Sequence, residues 1–138
     1  MATKITVSAT VVAPIEKVWD CWTMPEHITG WNFADPSWQC PKAENDLMAG
    51  GKYFARMEAK DGSFGFDFEA IYNVVIKHKE LTYTMGDGRV ATTIFTDNGN
   101  TTHVETTFDA ESQNPVEMQQ GGWQMILNNF KKYTESGI

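Results

Sequence analysis

Hydrophobic residues recur at two different periods along this chain. From Thr3 to Val12 they alternate, with Ile5, Val7, Ala9 and Val11 on one side and Lys4, Thr6, Ser8 and Thr10 on the other. That is the pattern of a strand with one buried and one solvated face. Ala13-Pro14 ends it. Ile15, Val18, Trp19 and Trp22 then fall at i, i+3, i+4 and i+7, so a short amphipathic helix opens at Pro14. Met24-Pro25 stops that run, and Pro25 to Gly30 adds a further turn or a second short helix.

Trp31 to Pro41 holds no sustained period and carries Trp31, Phe33 and Trp38 between two prolines. The expectation is an ordered, aromatic loop, either a lid over a binding site or a plug at one end of the core. A meander of strands follows. Glu44 to Met48 leads into the turn Ala49-Gly50-Gly51, and Lys52 to Lys60 turns Tyr53, Ala55 and Met57 inward. Asp61-Gly62 is a hairpin signal. Phe64, Phe66, Phe68, Ala70 and Tyr72 share one face of the next strand, and Leu81, Tyr83 and Met85 one face of the strand after it. A strand near Arg89 to Thr96 has no assignable facing. In the last strand Val104, Thr106 and Phe108 face the core, while His103 and Glu105 face away.

The chain closes on a long helix. Asn114 is its expected cap, Pro115 suits the first helical position, and Glu117 completes a capping box. Met118, Trp123, Ile126, Leu127, Phe130 and Tyr133 recur at spacings of three and four over about 21 residues, roughly 31 Å. Gly121 and Gly122 interrupt this helix at a cost of about 1 kcal/mol each relative to alanine. Close backbone packing or a cavity against Gly122 would explain them. Strands grouped between two helical segments imply an α+β fold, with six to seven antiparallel strands and the long helix covering one face.

Composition narrows the function. The 138 residues, 41% hydrophobic and 12% aromatic, suffice for one domain, 1–138, with its own core. A net charge of -7, with only 11 Lys and Arg and no basic run, argues against nucleic acid. No apolar run approaches the ~20 residues of a membrane span, and Met1 to Lys4 lead straight into a strand, so the expectation is a cytoplasmic protein without membrane insertion. Cys21, Cys40, His27, His78 and His103 have no metal-ligand spacing, so no metal is expected, and neither Gly50-Gly51 nor Gly121-Gly122 matches a nucleotide cradle, so no cofactor is expected either. Arg56, Glu58, Asp67, Glu69 and His103 are the reactive candidates, yet strand parity points most of them to solvent.

The order of motifs adds a resemblance. A first strand, Ala13-Pro14-Ile15-Glu16-Lys17-Val18-Trp19, Trp31, Gly50-Gly51, Asp61-Gly62, Leu81-Thr82-Tyr83-Thr84 and Gly122-Trp123 with Leu127 resemble the START-like helix-grip superfamily. The branch is that named after the activator of the 90-kilodalton heat-shock-protein ATPase. Trp38 to Leu47 and Arg56 to Ser63 resemble a bacterial subgroup of it labelled polyketide-cyclase-like. This resemblance implies a curved sheet gripping the C-terminal helix, with a cavity between them. Ala70, where relatives commonly place glycine, would narrow that cavity by a methyl group.

The expected function is binding of a small apolar or amphipathic molecule. Its expected wall comprises Tyr53, Met57, Phe66, Phe68, Tyr72, Tyr83, Met85, Met118 and Gly122, with Trp31, Phe33 and Trp38 at the mouth. A cyclase or dehydratase acting on a polyketide-like substrate is the second reading, and a regulator of a chaperone ATPase the third. A homodimer is left open.

Overall fold

The computed structural model describes residues 3–136. The elements are β1 (Lys4–Val11), α1 (Ile15–Thr23), α2 (Pro25–Ile28), β2 (Trp38–Asn45), β3 (Lys52–Ala59), β4 (Gly65–Ile76), β5 (Glu80–Met85), β6 (Val90–Asp97), β7 (Thr102–Asp109) and α3 (Val116–Glu135). The seven strands form one sheet in the order β1-β7-β6-β5-β4-β3-β2, and every neighbouring pair is antiparallel. The chain starts on one edge, crosses through α1 and α2 to the other edge at β2, and meanders back until β7 lies beside β1. Register shifts at Gln39/Lys42 and Tyr72/Val74 mark bulges, which bend strands, and the sheet curls into a half-barrel around α3. This is the helix-grip architecture.

The alternating positions behave as their parity requires. Ile5, Val7, Val11, Val104, Thr106 and Phe108 are buried, as are Ala91, Thr93 and Phe95 of β6, whose facing the sequence leaves open. Ile15, Val18 and Trp19 bury the inner stripe of α1. On α3 the stripe consists of Gln119, Leu127, Phe130 and Thr134, flanked by the partly buried Trp123, Ile126 and Tyr133. Phe130 is fully enclosed, and burial of such a side chain contributes about 1.5–3 kcal/mol.

Four expectations need correction. Trp38 to Pro41 is not loop but the start of β2, because an edge strand with a bulge tolerates a proline that cannot donate to the ladder. That strand ends at Asn45 rather than Met48. The capping box does not form, since Pro115 occupies the cap position and no side chain caps the helix. The Glu111 carboxylate instead accepts the backbone N–H groups of Gln113 at 3.0 Å and Asn114 at 2.6 Å. Met118 leaves the inner stripe at 63% exposure. Its neighbour Gln119 is buried in its place, because its amide bonds Glu111 N–H and the carbonyls of Glu111 and Asn114.

Close backbone packing does not account for the glycines on α3. A methyl group added at Gly121 or Gly122 would meet nothing within 4 Å. Tight packing occurs instead at Gly30, where an added Cβ would lie 2.4 Å from the Tyr133 ring, itself fixed by a 2.8 Å hydrogen bond to His27 Nδ1. The expected outcome in thermal unfolding is that Gly121→Ala and Gly122→Ala each stabilise by about 1 kcal/mol through helix propensity, while Gly30→Ala destabilises by about 1–3 kcal/mol through overpacking. Parent-like stability of the Gly30 variant would show that Tyr133 is free to move aside.

Candidate functional site

Helix α3 lies along β1, not over the centre of the sheet. The Gln120 and Gln124 side-chain amides donate to the β1 carbonyls of Thr6 at 3.3 Å and Ser8 at 3.0 Å, and Trp123 stacks on Phe108 with ring centroids 3.8 Å apart. Between this helix and the middle strands remains a cavity of about 240 Å³.

Its sheet wall is aromatic. Tyr53 of β3, Phe68 of β4 and Tyr83 of β5 contact one another with centroids 5.8–5.9 Å apart, and Tyr72 lies 6.0 Å from Tyr83. Met57 and Phe66 continue the wall towards the β3–β4 hairpin. The opposite wall is built from Trp123, Ile126 and Leu127 of α3, with Trp22 of α1 and Trp31 closing one end. Trp31 is held there because its indole N–H donates to the Cys21 carbonyl at 2.8 Å and its ring packs on Trp22 and Phe130.

Polar groups on this surface are few. Asn32 donates to the Tyr53 hydroxyl at 3.3 Å, and the Thr93 and Thr106 hydroxyls share a hydrogen bond of 2.8 Å. Tyr83 also lines the cavity and carries a hydroxyl. Among the described residues, Arg89, at the β5–β6 turn, is the one charged residue on the wall. Burial pushes the Tyr53, Tyr72 and Tyr83 phenols well above their ordinary range, and it pushes the Cys40 thiol up to about 11. Cys21 and Cys40 are buried and free. No three His, Cys, Asp or Glu side chains converge in a metal-binding group among the described residues.

Of the expected wall residues, the fold brings Trp31, Tyr53, Met57, Phe66, Phe68, Tyr72 and Tyr83 together. It does not bring Phe33, Trp38, Met85, Met118 or Gly122 to the cavity surface. Phe33 packs beside the core with its carbonyl bonded to Asn129 Nδ2 at 2.7 Å. Trp38 packs on Phe64 and Phe66 on the hairpin. Met85 is buried in the core, and Ala70 lies behind the wall rather than in it. Arg56, Glu58 and Asp67 form ion pairs at 3.0 and 3.2 Å, away from the cavity, and Lys52 pairs with Glu69 at 2.6 Å. Val7, Trp22, Asn32, Arg89, Thr93, Thr106, Trp123, Ile126 and Leu127 also line the cavity and are not among the wall residues expected from the sequence. Thr93 and Thr106 face each other across the β6–β7 ladder, a pairing that only register reveals. The one available signal for Arg89 was a lone cation beside a hairpin glycine.

The buried phenols make stability depend on pH. An unfolded tyrosine loses its proton near pH 10, whereas these three hold theirs to higher pH. The fold therefore favours the protonated form, and this stabilisation is complete below about pH 10 and is lost as pH rises beyond it. The expected outcome is that most tyrosinate absorbance appears together with alkaline unfolding. A smooth phenol titration near pH 10 in still-folded protein would show that the hydroxyls are solvated.

Relatives of known structure share the fold. A solution structure of an AHSA1-like protein from Aeromonas hydrophila is 40% identical, covers 97% of this chain and 93% of its own, and superposes with a TM-score of 0.91. A solution structure from Cytophaga hutchinsonii is 52% identical over 96% of this chain and 92% of its own, with a TM-score of 0.83. A crystal structure from Chromobacterium violaceum reaches a TM-score of 0.85 at 20% identity over 96% of this chain and 98% of its own, a likeness of fold alone. No curated protein matches the chain. The model of the family described as Activator of Hsp90 ATPase homolog 1-like protein matches residues 12–135, and the chain belongs to that family.

Proposed function

We propose that this protein binds a small apolar or amphipathic molecule in the cavity between the sheet and α3. The observation that carries this reading is a cavity of about 240 Å³ with aromatic and aliphatic walls and a few polar groups on them. Small-molecule sites have this make-up, with apolar walls for affinity and a few placed polar groups for orientation. Its volume falls just below the roughly 300–1,000 Å³ of drug-sized pockets, so the ligand is compact. A helix-grip fold supports the reading in general terms, because it leaves room between its sheet and its long helix.

The five tryptophans make the reading testable. Trp22, Trp31 and Trp123 line the cavity, while Trp19 is buried in the core and does not. Titration with 1-decanol is expected to move the indole N–H resonances of the first three in the NMR spectrum and to leave Trp19 in place. Ile126→Trp, which fills the cavity from the α3 side, is expected to weaken binding at least tenfold, about 1.4 kcal/mol. Uniform shifts across all five indoles, or none up to the solubility limit of the alcohol, would defeat the reading.

A further inference from the structure

Arg89 stands where two surfaces meet. On one side it forms part of the apolar cavity wall, and on the other it lines a polar groove with Asp87, Glu111, Ser112 and Gln113. Outer partners fix its guanidinium. Nε donates to Asp87 Oδ2 at 2.7 Å, and Nη1 donates to the Asp109 carbonyl at 3.3 Å. The Arg89 backbone N–H also donates to Asp87 Oδ1 at 3.1 Å, so the turn itself is braced. Guanidinium carries five N–H donors in a rigid plane, and Nη2 has no partner among the described residues.

A cation at the edge of an apolar space interacts strongly with any charge entering that space, because little water is there to screen it. Planar carboxylates match the spare donors of a guanidinium. Tyr83 lines the same cavity and carries a hydroxyl that can donate as well. No acidic side chain among the described residues lines the cavity. The acids near Arg89 lie on the groove side, where Asp87 is held below its usual range; burial pushes it up, but hydrogen bonds from Arg89 outweigh that.

We propose that Arg89 anchors the headgroup of the cavity's ligand and that the ligand class is a compact carboxylic acid with an apolar tail, its carboxylate on Arg89 and Tyr83 and its tail among the aromatic side chains. This assignment rests on the cavity-binding reading above and adds the sign and shape of the head.

Three ligands with the same ten-carbon tail separate the two. Calorimetric or NMR titration at neutral pH is expected to show decanoate binding at least tenfold more tightly than 1-decanol, with decylammonium the weakest. The Arg89 side-chain Nε–H resonance is expected to shift with decanoate and not with the alcohol. Arg89→Gln is expected to bring the acid-to-alcohol affinity ratio to near one, and Arg89→Lys, which keeps the charge but not the planar fork, to leave an intermediate ratio. Should Arg89→Gln fail to fold for want of its bonds to Asp87 and Asp109, the ratio and the Nε–H shift in the unaltered protein still decide. Equal binding of acid and alcohol with indole shifts at Trp22, Trp31 and Trp123 would overturn the anchor and keep the cavity reading. Binding of none of the three would overturn both.

Discussion

The stack of Trp123 on Phe108, together with the glutamine amides of α3 on the β1 carbonyls, sets where the long helix lies, and the cavity follows from that position. A helix centred on a curled sheet would press its side chains onto the middle strands and fill the space. Here the backbone groups along the free edge of β1 draw the helix to one side, since an unpaired carbonyl at a sheet edge gains by finding a donor. The bulges bend the strands on the far side of the sheet, which stand across the cavity from the helix. Large aromatic rings line the gap without closing it.

Charge is sorted by the same geometry. Arg56 with Glu58 and Asp67, and Lys52 with Glu69, lie on half-buried or exposed strand positions away from the cavity. Exposed pairs of this kind contribute about 0–1 kcal/mol each, so the sheet does not depend on them for its stability. Inside, the phenols are kept neutral by burial. Arg89 is the point at which the two environments touch, and it is held there by a turn in which Gly88 adopts a φ of 93°.

Local pattern carried the architecture a long way. Alternation in Ile5 to Val11 and in Val104 to Phe108 survives intact because both strands bury one face only. It failed where the period itself is broken. The bulge at Gln39/Lys42 hides the start of β2 behind Pro41, so Trp38 reads as loop. Met118 misleads because a helical stripe is inferred from apolar residues, whereas the buried position at that end is Gln119, whose amide satisfies backbone groups that a methionine would leave bare. The cavity wall is legible on the sheet side, in Tyr53, Met57, Phe66, Phe68, Tyr72 and Tyr83, but not in Trp22 and Trp123 of the helices. Thr93, Thr106 and Arg89 reach it through strand register and turn geometry, which link residues far apart in sequence.

The placement of β1 has a further consequence, for the order in which the chain acquires structure. Its only strand neighbour is β7, and Lys4 pairs with Asp109 across 105 positions. Strands β2 to β7 close through local hairpins, which form quickly because the loops are short. The N-terminal strand, although made first, has no ladder to join until the last strand has emerged from synthesis. Until then its alternating apolar face has no sheet to rest on, and Gln120 and Gln124 have no edge to bond. Closure of the half-barrel and the seating of the helix on β1 therefore both depend on β7, and the cavity needs both.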